Sequence, residues 1–340
     1  MRPWKLGIIG CGGAFLSIHL PVLQKLSNEF DIVAFYDIDT IRIDYLKKRL
    51  GEAKACYNLQ ELMTSEVDVI IILSHNHESL IENALRAGKH VFTEKPLSLD
   101  LKFSQSLKDL AISRNLILEV GLMRLYDKVI QQFFNQISSS NILSAVFYKS
   151  DGSDPIIRHS LMPESLNIYN FHNSELAILP QDLNEKQISV LKVLLWSGIH
   201  LLTTMCEKFP KLSVEFCEAN FDVSALTCIL KTKERQHIIL SVNNTKAPQY
   251  LEGINITSEF EIGEIKFASP YILGGLTEGK IIQAGEHSAV KEEIIKNYES
   301  SFLEMWRHVL AVLEGKTRGI SLDVAIKVEE LAKSLAKACC

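Results

Sequence analysis

The order of apolar runs predicts an α/β protein: an N-terminal Rossmann unit with a doubly wound parallel sheet, then a second α/β domain. Short apolar runs alternate with helical patterns from Leu6 to Val120, the signature of a sheet with helices on both faces. The first of these runs leads directly into Gly10-Cys11-Gly12-Gly13, a turn through which backbone can approach a pyrophosphate closely. Beyond a long helical pattern, four alternating stretches between Leu212 and Ser258 read as strands of a second sheet.

Leu6-Gly7-Ile8-Ile9 forms the first strand, apolar enough to be buried on both faces. Gly10, Gly12, Gly13 and Ala14 make the turn, and a helix over 14–27 aims its N-terminus at the phosphates. Phe15 occupies the position where a small residue normally lets helix and strand pack closely. The next strand ends at Asp37, a little over ~20 residues past the glycines. A carboxylate there accepts hydrogen bonds from the ribose hydroxyls and repels a 2′-phosphate, so NAD is expected over NADP. The competing role for Asp37 is a cap on the helix that follows.

Helices are predicted at 41–50, 59–63, 79–87 and 101–115, and strands at 53–57, 67–73, 89–93 and 116–120. Gly88 terminates its helix as a C-cap. Ser74, His75, Asn76 and His77 follow a buried strand at its carboxyl end, where open α/β sheets bind ligands. This loop is expected to line the cofactor. Two histidines without a third ligand do not make a metal site. The strand at 89–93 delivers Glu94-Lys95-Pro96, and the proline pushes Lys95 into extended or turn backbone. A lysine at that sheet edge, beside a nicotinamide, can hydrogen-bond a reacting oxygen.

In the second half, helices are expected at 128–136, 188–208, 298–314 and 322–339, the last capped by Ser321. Strands are expected at 142–148, 212–218, 225–231, 236–243 and 252–258, extended by 261–267 and 280–283. The polar stretch 151–186 reads as a substrate-covering loop or a solvated insertion. The expected domains are 1–122 and 123–340, with Arg124 and Tyr126 facing the cleft between them.

Across 340 residues, 47% hydrophobic and 23% charged residues are globular values. A net charge of −5 gives no electrostatic reason to expect nucleic acid. No apolar run approaches the length of a membrane span, and no signal-peptide pattern opens the chain. Seven scattered cysteines without Cys-x-x-Cys spacing indicate neither zinc nor a disulfide framework, which fits the cytoplasm.

In its motifs the chain resembles the glucose–fructose oxidoreductase/inositol dehydrogenase family, Gfo/Idh/MocA. The matching pieces are Gly-Ile-Ile-Gly-Cys-Gly-Gly (7–13), His19-Leu20-Pro21, Asp37, Ala87-Gly88-Lys89-His90-Val91 running into Glu94-Lys95-Pro96, Gly121-Leu122-Met123-Arg124 and Gly198-Ile199-His200. The resemblance implies a C-terminal domain with an open, mainly antiparallel sheet that often pairs between subunits, giving a dimer or tetramer. It also implies oxidation or reduction of a sugar-like or cyclitol hydroxyl with NAD(P), and it places Lys95 and a second-domain histidine, His200, beside the substrate carbon. Family members commonly carry an aspartate four residues before that histidine, where this chain has Trp196.

Hydride transfer from an alcohol requires its proton to leave as well, and a group titrating near neutrality serves best. His200 is therefore assigned as proton acceptor and Lys95 as the group that polarises the oxygen. Glu94 reads as a structural partner or a ribose contact. Trp196 can stack on a sugar face, shield the pocket or pack in the core. With the aspartate missing, His200 suffices, or Glu164, Glu175 or Asp182 substitutes, or the protein binds dinucleotide as a regulatory member without turnover. A tryptophan-walled pocket for a flat, unsaturated substrate is a third reading.

Overall fold

The structure, a computed structural model, describes residues 2–75, 77–137, 142–152, 178–247, 249–270, 272, 275–285 and 290–339. By its contacts the chain divides into two units. The first contains 2–121 and 305–326; the second contains 122–152, 179–304 and 327–339.

In the first unit β1 (Trp4–Ile9), β2 (Phe30–Tyr36), β3 (Lys54–Ala55), β4 (Val69–Ile72), β5 (His90–Thr93) and β6 (Leu118–Val120) form one sheet. Its order is β3-β2-β1-β4-β5-β6 and every pairing is parallel. The order reverses between β1 and β4, which opens a crevice at their carboxyl ends. β4 is buried at all four positions, as its unbroken apolar run requires. The sheet is flanked in sequence by α1 (Leu20–Lys25), α2 (Thr40–Leu50), α3 (Leu59–Met63), α4 (Glu78–Arg86) and α5 (Leu101–Ser113).

The helix expected over 14–27 is helical through Lys25, but with a π-helical turn, Phe15–His19, before α1. Pro21 has no N–H to return to the preceding turn, so the chain widens there. Phe15, the residue out of place in the glycine pattern, is fully buried in that turn.

The second unit holds β7 (Ile142–Gly152), β8 (Leu212–Ala219), β9 (Ala225–Thr232), β10 (His237–Thr245), β11 (Tyr250–Ser258), β12 (Glu261–Lys266), β13 (Glu278–Ala284) and β14 (Val290–Lys296). They make an eight-stranded sheet of order β14-β13-β12-β11-β7-β10-β9-β8, antiparallel except for β7 with β10. Its helices include α6 (Lys128–Gln136), which follows a 3-10 turn at Met123–Tyr126 and is capped by Asp127.

The helix expected over 188–208 is two helices, α7 (Glu185–Trp196) and α8 (Ile199–Lys208), bent by 75°. Gly198 sits at the break, where a Cβ would lie 3.0 Å from the Leu194 carbonyl oxygen and 3.2 Å from Val242. Lys149 donates to the Ser197 carbonyl at 2.9 Å, satisfying an oxygen that the break frees.

Two helices follow, α9 (Ser301–Leu313) and α10 (Ser321–Ala338). Ser321 was expected to cap the last one. Its hydroxyl instead donates to Glu119 and accepts the Val120 N–H at 2.7 Å, binding the start of α10 to β6. Most of the 151–186 stretch, with Glu164 and Glu175, lies outside the described residues, as does Asn76. Among the described residues no single helix is long and apolar enough to cross a membrane, and no group of three metal-binding side chains occurs.

Candidate active site

The carboxyl ends of β1, β2, β4 and β5 bring most of the first-unit candidates to one edge of the parallel sheet. Gly10 has φ +86°, and a Cβ there would stand 2.7 Å from the Ser74 nitrogen. Only glycine fits between these two strand ends. Gly13 and Ala14 begin the following helix, whose first-turn N–H groups have no partner inside it. Ser74 Oγ is buried without a hydrogen-bond partner. An orphaned hydroxyl beside a glycine turn and a helix start fits a phosphate-bearing dinucleotide.

Asp37 is 4% exposed and is more heavily engaged than its sequence position indicates. Oδ2 accepts the Cys11 N–H at 2.6 Å, and Oδ1 accepts the Asp39 N–H at 2.8 Å and Arg42 Nη1 at 3.2 Å. The capping role considered for Asp37 belongs to Asp39, which accepts the Ile41 N–H at 2.9 Å. Arg42 is a residue that sequence reasoning missed. Its Nη1 is the nearest atom, at 3.9 Å, to where a side chain on Gly12 would begin. The signal was present: an arginine five positions past the β2 carboxylate, in the first turn of the next helix.

Lys95 is half-buried and precedes a cis peptide bond to Pro96. His77 spans the two neighbouring loops, with one ring nitrogen 2.9 Å from the Ser74 carbonyl and the other 2.7 Å from that of Pro96. His75 feels the Lys95 charge. Desolvation first, then His77 and Lys95, push its pKa below the usual histidine value. Glu94 receives the His19 ring at 3.0 Å and the Lys95 N–H at 3.2 Å. Burial acts to raise its pKa, but His19 and Lys95 outweigh it and hold the carboxyl below its usual value. Glu94 is thus an anion facing inward.

In the second unit Arg124 is 4% exposed. Its guanidinium meets Glu252 at 3.1 Å and Thr277 at 3.4 Å, and it lies 4.1 Å over the Phe267 ring. Burial works against both charges of the pair. Glu252 nonetheless keeps Arg124 above its usual pKa, and Arg124 with Lys149 keeps Glu252 below its own. In this network Arg124 fastens the 3-10 turn to β11. Tyr126 is also buried, at 6% exposure.

His200 is 6% exposed in the first turn of α8, a helix that packs on β7 and on the 3-10 turn. Trp196 ends α7 at 47% exposure, with the Lys192 ammonium 5.8 Å from its ring centre. The helix break removes the shared face that a four-residue spacing gives on one continuous helix. Asp182 pairs with Lys333 at 2.8 Å and Lys337 at 2.7 Å, which keep its pKa far below the usual range.

Lys149 and Asp151, 3.2 Å apart, were not singled out from the sequence. Lys149 is 5% exposed and lies 5.3 Å from the Tyr250 ring centre. Their signal was two charges on the face of β7 that otherwise carries Ala145 and Phe147.

Residues 4–122 match the model of an oxidoreductase family with an NAD-binding Rossmann fold, GFO_IDH_MocA. An inositol 2-dehydrogenase/D-chiro-inositol 3-dehydrogenase of Lacticaseibacillus casei is 22% identical over 303 residues, covering 88% of this chain and 81% of that protein. The myo-inositol 2-dehydrogenase of Thermotoga maritima is 28% identical over 154 residues, 44% of this chain and 46% of that one. An uncharacterized oxidoreductase of Schizosaccharomyces pombe is 32% identical over 131 residues, 37% and 36% of the two chains. The last two matches therefore span less than half of those relatives. Among solved structures, a 3-ketoreductase from Actinomadura kijaniata in complex with NADP and TDP-benzene superposes with TM-score 0.77 at 16% identity, covering 99% of this chain and 98% of that one. A dehydrogenase from Clostridium difficile gives 0.74 at 18% identity, covering 97% and 98%.

Proposed function

We propose that this chain, whose residues 4–122 match the Gfo/Idh/MocA oxidoreductase family model, is an NAD(P)-dependent oxidoreductase acting on a hydroxyl or ketone carbon of a sugar, sugar derivative or cyclitol. The observation that carries the reading is Lys95, half-buried beside a braced anionic carboxylate at the carboxyl edge of a parallel sheet. The glycine turn and the orphaned Ser74 hydroxyl at that same edge support a dinucleotide ligand.

Gly10, Gly12, Gly13, Ala14 and Ser74 would hold the phosphates, with the loop of His75 and Asn76 lining the cofactor and Glu94 bracing the Lys95 turn. When bound, the nicotinamide supplies or accepts the hydride. Lys95 polarises the substrate oxygen and stabilises alkoxide character. His200 takes the hydroxyl proton in oxidation and returns it in reduction. Tyr126 and Trp196 bear on substrate, whereas Arg124, tied to Glu252, acts through the turn it anchors.

For the cofactor, Asp37 favours NAD, but Arg42 neutralises part of that carboxylate and offers a 2′-phosphate a partner. The preference for NAD is therefore modest. A second copy pairing on the open sheet face completes the proposal. One cross-strand row of that face runs Phe216, Ile229, Ile239 and Val146, then passes through Asn255, Glu264 and Lys280 to Ile294, and Phe216, Leu251, Ile262 and Ile294 are exposed.

The alternative, dinucleotide binding without turnover, is favoured by one observation: Trp196 replaces the family aspartate while Asp182 is taken by two lysines. Titration with NADH, then a screen of sugars, cyclitols and sugar acids, separates the two. Binding without turnover across the panel selects the alternative.

A further inference from the structure

Trp306 heads the fully buried large side chains, packed 4.6 Å from Phe92 and 5.4 Å from Phe30 between ring centres. A phenylalanine would keep the aromatic contacts, with a void where the larger indole ends. What the indole adds is one N–H, and it is spent on His19: Nε1 donates to Nδ1 at 3.1 Å. Indole nitrogen only donates, so Nδ1 is the acceptor and the proton of a neutral imidazole resides on Nε2. That nitrogen is 3.0 Å from Glu94 Oε1 and donates to it. His19 is fully buried, and its ring stands edge-on to both Trp306 and Phe92.

The other oxygen of Glu94 accepts the Lys95 backbone N–H. The carboxylate is also boxed in at Gly121, where a Cβ would come within 2.9 Å of Oε1. Residues 306 and 19, far apart in sequence, thus form a relay of donors onto one oxygen of Glu94, while the Lys95 backbone N–H donates to the other.

We propose that Trp306 and His19 are positioning residues that, by fixing the ring proton on Nε2, hold Glu94 as an oriented carboxylate facing Lys95. This rests on the role given to Lys95 above. Without the indole N–H, the Nε2–H tautomer is held by Glu94 alone, and the other tautomer, which turns a nitrogen lone pair toward the Glu94 anion, becomes accessible. Glu94 then loses its donor. The ionisable groups acting on Glu94 are His19 and Lys95, and His75 is the further one acting with Lys95.

The direct test is Trp306→Phe, which deletes one donor and keeps an aromatic ring. Nitrogen NMR of the protein labelled at histidine, with the His19 signal assigned by its loss in His19→Gln, is expected to show a single Nε2–H tautomer in the wild type and exchange between tautomers in the variant. Where a substrate is in hand, kcat falls about tenfold, the scale of one hydrogen bond to a charged group. The acid limb of the pH profile moves to higher pH, because Glu94 without its donor protonates more easily. His19→Gln, which retains a donor and an acceptor, keeps more activity than His19→Phe.

An unchanged histidine spectrum in Trp306→Phe, or a shifted spectrum with unaltered kcat and pH profile, would overturn the proposal and leave Trp306 as packing. If wild-type protein turns over nothing, the assignment of function fails. The proposal is then decided by the spectrum and by the Glu94 carboxyl pKa, read from its infrared band in the same two proteins.

Discussion

Lys95 and Glu94 are sequence neighbours given opposite tasks in the proposed reaction, and the proposal rests on which way each faces. The Glu94 carboxylate turns inward onto His19, while the Lys95 amine stays half-buried close enough for its charge to depress His75. Lys95→Met is expected to cut kcat/KM about a hundred- to a thousandfold, as for loss of one donor to a developing oxyanion. Fluorescence titration should show NADH affinity nearly unchanged. Arg42→Ala is expected to weaken NADPH binding about tenfold or more relative to NADH, because a charged hydrogen-bond partner of the 2′-phosphate is gone. An unaltered ratio of the two dissociation constants would remove Arg42 from the cofactor assignment.

Glu94 also ties stability to pH. Its folded pKa lies below its usual value, so its contribution is fully present above the ordinary glutamate range. The contribution is lost as pH falls through the folded value. The gap in melting temperature between wild type and Glu94→Gln should therefore be widest near neutrality and close in acid. The placing of Asp37 and Lys95 just past the ends of β2 and β5 was legible in the sequence, because each follows an apolar run. Arg42, His19 and Trp306 were harder to read, because their roles depend on contacts the linear order does not display.

At the scale of elements, most of the parallel sheet could be read from its β-branched runs, and the misreadings have local causes. β14 was missed because Val290-Lys291-Glu292-Glu293-Ile294-Ile295-Lys296 is mostly charged. As an edge strand it can be, and its charges pair across to β13, Lys280 with Glu292 and Lys296 with Glu278, each at 2.9 Å. Residues 188–208 look like one helix because the apolar pattern runs through Ser197-Gly198 without interruption. What accompanies the bend is tertiary: Val242 packed close against Gly198, and Lys149 capturing the Ser197 carbonyl. Gly198→Ala is expected to destabilise the protein by about 1–3 kcal/mol through overpacking at that contact. Denaturant melts measure this, and a neutral result would show that the neighbours give way.

For the whole molecule, the division by contacts sends 305–326 to the first unit, an arrangement invisible in a sequence where the glycine turn and Trp306 lie at opposite ends. The proposed pairing of a second copy on the exposed sheet face has a direct test. Replacing Ile262 and Ile294 together by lysine should lower the mass seen by light scattering to that of one chain, whereas a monomeric wild type would contradict the pairing. The central claim is tested most directly by comparing wild type and Lys95→Met in a single assay, NADH titration followed by the sugar and cyclitol panel. The account predicts that both proteins bind NADH and only the wild type turns over substrate. Equal turnover by the two proteins, or no dinucleotide binding by the wild type, would contradict it.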